Sequence, residues 1–179
     1  MREIEIKAHV RARHEVLAAL AQLGVELSAP LKQHDVVYSR PNAVAGSTTE
    51  NWLRVRTEND QKVIFTLKRS VVGELDSIEH EVEVSDAHEI TKIIGYLGYE
   101  LFSDLTKVRQ TGHYNDIELC FDELPGLGTF MEAEKLCDES VDHDEVSSAL
   151  WELFSKLGIT PADQETSGYD VLMLEQSGK

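Results

Sequence analysis

Arg2-Glu3-Ile4-Glu5-Ile6-Lys7-Ala8-His9-Val10 alternates polar and apolar side chains from Glu3 onward. Successive side chains of a strand point to opposite faces, so the segment predicts a strand with Glu3, Glu5, Lys7 and His9 on one side and Ile4, Ile6, Ala8 and Val10 on the other. Residues 33–39, 52–58, 62–69, 77–84, 106–114, 115–122 and 129–136 repeat the period of two and are further candidate strands. Arg54 and Arg56 oppose Leu53 and Val55, Thr66 and Lys68 oppose Phe65 and Leu67, and Glu81 and Glu83 oppose Val82 and Val84. Lys107 and Arg109 flank Val108, Glu118, Cys120 and Asp122 oppose Ile117, Leu119 and Phe121, and Glu132 and Glu134 oppose Met131 and Ala133.

The apolar faces need cover, and three amphipathic helices can supply it. Their apolar positions are Val16, Leu17, Leu20 and Leu23; Ile90, Ile93, Ile94 and Leu97; and Val146, Leu150, Leu153, Phe154 and Leu157. Each runs into a Leu-Gly pair ending at Gly24, Gly98 or Gly158, where glycine can take the left-handed cap. Asp86 and Asp142 stand where an acidic N-cap accepts from free amide groups. Pro41–Asn51 reads as a mobile loop, and Pro125-Gly126-Leu127-Gly128 as a tight turn between strands.

The charged faces allow an open sheet with a solvated face or a closed barrel with a charged lumen. Closure is favoured because acidic and basic residues are sorted by strand, without the Ser, Thr, Gln and Asn that usually dilute a solvent face. The lumen then holds six cations, Lys7, Arg54, Arg56, Lys68, Lys107 and Arg109, and eight carboxylates, Glu3, Glu5, Glu81, Glu83, Glu118, Asp122, Glu132 and Glu134. Two unit charges about 4 Å apart interact by about 4 kcal/mol at an effective dielectric near 20, so crowded like charges need counter-ions. A polyanion satisfies the cations, and one or two oxygen-seeking divalent ions, Mg²⁺ or Mn²⁺, satisfy the carboxylates. On this reading, neutralising Asp122 or Glu132 removes metal-dependent turnover and leaves metal-free stability level or higher.

A length of 179 residues suits one domain spanning 1–179. The net charge of −16 opposes nucleic acid and anionic membranes, so a polyanion must bind in a local basic pocket. Cys120 and Cys137 lack a CxxC spacing, the opening Met-Arg-Glu-Ile-Glu-Ile-Lys is too charged for a signal peptide, and no apolar run approaches membrane length. A cytoplasmic protein is expected. His9, His80 and His113 are scattered and read as structural or solvated, and Gly126 and Gly128 do not open a helix as a dinucleotide-binding turn requires.

Glu3-Ile4-Glu5-Ile6-Lys7 resembles the ExExK signature of the CYTH superfamily, the triphosphate tunnel metalloenzymes. The resemblance continues in order through Asp35 to Tyr38, Leu53-Arg54-Val55-Arg56, Thr66-Leu67-Lys68-Arg69, Lys107 with Arg109, and Asp122 followed by Gly126-Leu127-Gly128-Thr129-Phe130-Met131-Glu132-Ala133-Glu134. It implies an α+β fold: a closed eight-stranded antiparallel β-barrel, polar inside and covered outside by helices. It also implies that Glu3, Glu5, Asp122 and Glu132 hold metal and that Lys7, Arg54, Lys68, Lys107 and Arg109 clamp a triphosphate. Arg56 and Glu134 match positions that only some members share; we group them with the clamp and the metal set respectively. The chain is most similar to class IV adenylyl cyclases and thiamine triphosphatases. The expected substrates are therefore ATP, cyclised to cyclic AMP and pyrophosphate, or tripolyphosphate, thiamine triphosphate or a nucleoside triphosphate, hydrolysed by the same clamp. Ser167-Gly168-Tyr169 departs from the family's Ser-Tyr pair, which leaves the role of that segment open, as are the general base, the roles of Glu81 and Glu83, and the oligomeric state, a homodimer included.

Overall fold

Residues 2–45, 47–71 and 75–177 are described by the computed structural model. The chain divides into two compact units, residues 1–30 with 108–166 and residues 31–107 with 167–179. One strand, β6 (Glu100–Tyr114), runs through both.

In the first unit β1 (Arg2–His9), β7 (Ile117–Leu124), β8 (Gly128–Cys137) and the second half of β6 pair antiparallel in the order β6-β7-β8-β1, and the short β9 (Gln164–Glu165) adds to β1. The hydrophobic faces pack as the alternation requires: Ile4, Ile6, Ala8, Leu119, Phe121, Met131 and Ala133 are buried against Val16 and Leu20 of α1 (Arg13–Gln22) and Val146, Leu150, Leu153 and Phe154 of α3 (His143–Lys156). Burying one such large side chain contributes about 1.5–3 kcal/mol, which pins β1, β7 and β8 in register. The register then decides which charges meet on the other face. Glu5 stands opposite Glu134, and Glu134 opposite Glu118; in the next row Lys7 stands opposite Glu132 and Glu132 opposite Cys120; Asp122 stands opposite Arg109. The β7–β8 turn closes with the Leu127 amide donating to the Leu124 carbonyl at 3.2 Å, and Gly126 takes φ 86°, a left-handed value that disfavours any other residue.

In the second unit β2 (Leu31–Ser39), β3 (Asn51–Glu58), β4 (Lys62–Ser70) and β5 (Asp76–Val84) form an antiparallel meander, with β6 beside β2. Tyr38, Leu53 and Val55 are buried with Ile94 of α2 (Ala87–Tyr96), and Val36, Phe65, Leu67 and Ile90 pack around them. The polar face again follows register, with Asp35 opposite Arg56, Arg54 opposite Thr66, Thr66 opposite Glu81, and Lys68 opposite Glu79.

The helix stops fall at Gly24, Gly98 and Gly158, with φ of 75°, 81° and 76°. Asp86 and Asp142 are the N-caps of α2 and α3, each accepting from two backbone amides. The elements depart from the sequence reading at these places: strand β6 starts at Glu100 rather than 106, the two-residue β9 is an added strand, and a further helix, α4 (Tyr169–Ser177), follows Gly168. The α+β class of an eight-stranded antiparallel β-barrel with helices outside is otherwise as expected.

Candidate functional site

Most of the cations gather in the second unit, where register puts them on one face of neighbouring strands. Both oxygens of buried Asp35 accept from the Arg56 guanidinium, from Nε and Nη2, each at 2.7 Å. Such a planar fork holds the guanidinium in one orientation. Burial pushes the Asp35 carboxyl up, but Arg56, Arg54 and Lys107 outweigh it and hold the group well below the usual carboxylate range. Glu79 lies between two more cations, with Lys68 Nζ at 3.0 Å and Arg54 Nη2 at 3.4 Å, and it accepts from Ser77 Oγ at 3.3 Å. Burial raises its carboxyl, but Lys68 and Arg54 outweigh that and lower it to about 2. Arg54 Nη2 also donates to Thr66 Oγ1 at 3.3 Å and to Glu81 at 3.1 Å. Lys107 is buried, and its ammonium lies 4.8 Å from the centre of the Tyr169 ring. Arg54, Arg56, Lys68 and Lys107 therefore form one pre-oriented basic group within this unit. Glu83 is exposed.

The first unit concentrates acid. Carboxylate oxygens of Glu5, Glu132 and Glu134 lie within 4.8 Å of one another, and a second group of Glu118, Cys120 and Glu134 meets the same limit. Arg109 reaches into this region: Nε donates to Asp122 Oδ1 at 2.8 Å, Nη2 donates to Asp122 Oδ2 at 2.6 Å and to Glu132, and Nη1 lies 3.6 Å from Glu134. Lys7 Nζ stands 3.9 Å from Glu132. Burial lowers the affinity of Arg109 for its proton, but Glu132 and Asp122 more than compensate and raise its pKa well above the ordinary value. Glu134 moves the other way. Burial raises its carboxyl, Arg109 opposes, and Glu3, Glu132 and Glu118 add repulsion, leaving it at about 8. Cys120 is fully buried, and burial, only partly opposed by Arg109 and reinforced by Glu134 and Glu132, holds its thiol in the protonated form. That environment suits no thiolate nucleophile.

Of the expected metal set, Glu5, Glu132 and Glu134 converge. Glu3 acts on Glu134 through charge, and Asp122 has both oxygens engaged by Arg109. An all-oxygen set with an excess of negative charge fits a hard divalent cation, so the residues present suit Mg²⁺ or Mn²⁺. Sequence reasoning missed Glu79 and left the role of Tyr169 open. Glu79 shares the parity of Glu81 and Glu83, so the alternation that singled out those two also marked it. Nothing in the spacing around Tyr169 ties it to Lys107.

These features define a class, an antiparallel β protein whose polar strand faces carry a basic group and a convergent carboxylate group. The chain belongs to the CYTH family, whose domain model matches residues 1–169. A Methanocaldococcus jannaschii protein named as a candidate adenylate cyclase is 28% identical over 162 residues, covering 89% of this chain and 91% of its own. A conserved hypothetical protein of Pyrococcus furiosus has the same fold, with a TM-score of 0.81 at 24% identity over 95% of this chain and 99% of its own. A Hippeastrum protein described as a candidate adenylyl cyclase with a dominant triphosphatase activity aligns at a TM-score of 0.61 and 20% identity, over 99% and 96% of the two chains.

Proposed function

We propose that this chain is a divalent-metal-dependent enzyme acting on a triphosphate, and specifically an adenylate cyclase converting ATP to cyclic AMP and pyrophosphate. The observation that carries the reading is the convergence of Glu5, Glu132 and Glu134 in a chain that also assembles Arg54, Arg56, Lys68 and Lys107. A protein that only bound a triphosphate would need the cations, whereas the carboxylates would oppose it; metal-assisted chemistry needs both. We take residues 1–179 as one functional domain, since the family match runs through both units. Free Cys120 and Cys137 support a reducing, cytoplasmic setting, and no helix among the described residues is long and apolar enough to cross a membrane. The charge of −16 argues against nucleic-acid and membrane partners.

In this account Lys7, Arg54, Arg56, Lys68, Lys107 and Arg109 grip phosphate oxygens by charge-assisted hydrogen bonds, and Asp35 and Glu79 keep the guanidinium and ammonium groups aimed. Glu3, Glu5, Asp122, Glu132 and Glu134 provide the metal environment. A divalent cation held there supplies neutralisation of the negative charge that develops on phosphate oxygens. The ribose 3′-hydroxyl releases its proton to water, its oxygen forms a bond to the α-phosphorus as the bond to the bridging oxygen breaks, and pyrophosphate departs. The name of the Methanocaldococcus relative favours this reading. A second reading, hydrolysis with water as the nucleophile, is favoured by the activity stated for the Hippeastrum neighbour.

Product analysis after incubation with ATP, tripolyphosphate and thiamine triphosphate in Mg²⁺ or Mn²⁺ tests the proposal. Cyclic AMP with pyrophosphate supports cyclisation, orthophosphate transfers the assignment to hydrolysis, and no turnover of any of the three contradicts both.

A further inference from the structure

We propose that Tyr169 is a positioning residue for Lys107, which makes the start of the C-terminal helix part of the phosphate grip; the inference rests on the triphosphate-binding reading above. Lysine carries a compact, strongly hydrated charge on a flexible stem, so a buried ammonium needs a fixed electrostatic partner. Lys107 is only 3% exposed, and the face of the Tyr169 ring, itself 8% exposed at the first residue of α4, lies 4.8 Å from Nζ. The negative face of an aromatic ring attracts a cation at this range, and more strongly when water is excluded.

The ring also fixes Lys107 relative to the rest of the basic group. Lys107 is one of the cations that keep Asp35 ionised, and Asp35 in turn grips Arg56 through two hydrogen bonds of 2.7 Å. Tyr169, Lys107, Asp35 and Arg56 thus form a connected series within one unit. A ring face attracts the ammonium through its electrostatic potential rather than as a hydrogen-bonding carboxylate, so Tyr169 orients Lys107 without neutralising the charge that an anion would meet. Pre-ordering a long side chain in this way strengthens binding by lowering the ordering cost at the moment of contact.

The test separates ring electrostatics from packing. Phenylalanine and its mono-, di- and trifluorinated analogues are placed at position 169, and tripolyphosphate affinity is measured by calorimetry in Mg²⁺. Shape is nearly constant along this series while the negative potential of the ring face falls. Tyr169→Phe is expected to bind within about twofold of the parent, and affinity to weaken stepwise with fluorination, by about fivefold in total. In a Lys107→Met background the series is expected to be flat. A flat series with Lys107 present, a series that tightens with fluorination, or an undiminished trend without Lys107 overturns the inference. A parent that binds no tripolyphosphate contradicts the triphosphate reading itself, and this inference with it.

Discussion

Glu134 and Glu79 carry the same functional group, yet their surroundings displace it in opposite directions. Burial and neighbouring carboxylates raise Glu134 from 4.5 to about 8, so its contribution to folding is complete below about 4.5 and is lost as pH rises toward 8. The metal-free melting temperature should therefore fall across that window, and Glu134→Gln should flatten the fall. Burial opposes ionisation of Glu79 too, but Lys68 and Arg54 prevail and hold it near 2. Its contribution is present above about 4.5 and is lost as pH falls toward 2, so Glu79→Gln should reduce acid sensitivity in thermal melts. Asp122 corrects an expectation drawn from charge crowding. Both its oxygens are engaged by Arg109, and it is fully buried, so Asp122→Asn should destabilise the metal-free protein by about 3 kcal/mol rather than relieve it. Glu132 likewise faces Arg109 and Lys7, which leaves Glu134 as the carboxylate where neutralisation brings relief. Sequence alone showed that these acids share a face. It could not show how Arg109 divides itself among them, because that depends on side-chain reach across three strands.

Helices and strands were legible where two local signals agreed. For α1, α2 and α3 a period of 3.6 ends at a glycine, and for β1, β3, β4, β7 and β8 alternation over much of the strand coincides with β-branched or aromatic residues. The first half of β6 was not legible, because its apolar residues Leu101, Phe102 and Leu105 keep no period of two. Helix α4 was missed because Val171-Leu172-Met173-Leu174 is a continuous apolar run that fits no single helical face. Cap and contact predictions belong at this scale. Replacing Asp142 with Ala removes the acceptor for the Asp144 and Glu145 amides and should cost about 1 kcal/mol, read as a lower melting temperature with KM unchanged. Gly112→Ala in β6 should cost about 1–3 kcal/mol by the same measure, since a Cβ there would meet Val25 Cγ1 at 2.7 Å and the Glu26 carbonyl at 3.1 Å. An unchanged melting temperature would mean that the segment following α1 gives way without loss.

At the scale of the whole molecule, a strongly acidic chain places six of its 17 Lys and Arg on the polar faces of its strands, and the sorting of charges by strand is what made the family resemblance readable before any contact was known. Composition gave the net repulsion toward nucleic acid, and strand parity gave the polar faces. The identity of the reaction was not legible, because cyclisation and hydrolysis call for the same cations and the same carboxylates. On the proposed reading, both reactions would depend on a divalent cation held by the carboxylates. The most direct test is the rate of triphosphate loss in the parent and in Glu132→Gln, with Mn²⁺ and with a chelator. The account predicts turnover in Mn²⁺, none in chelator, and a loss of about a hundredfold or more in Glu132→Gln, the scale expected when a transition-state contact is removed. Turnover that persists in chelator, or a Glu132→Gln variant as active as the parent, would contradict it.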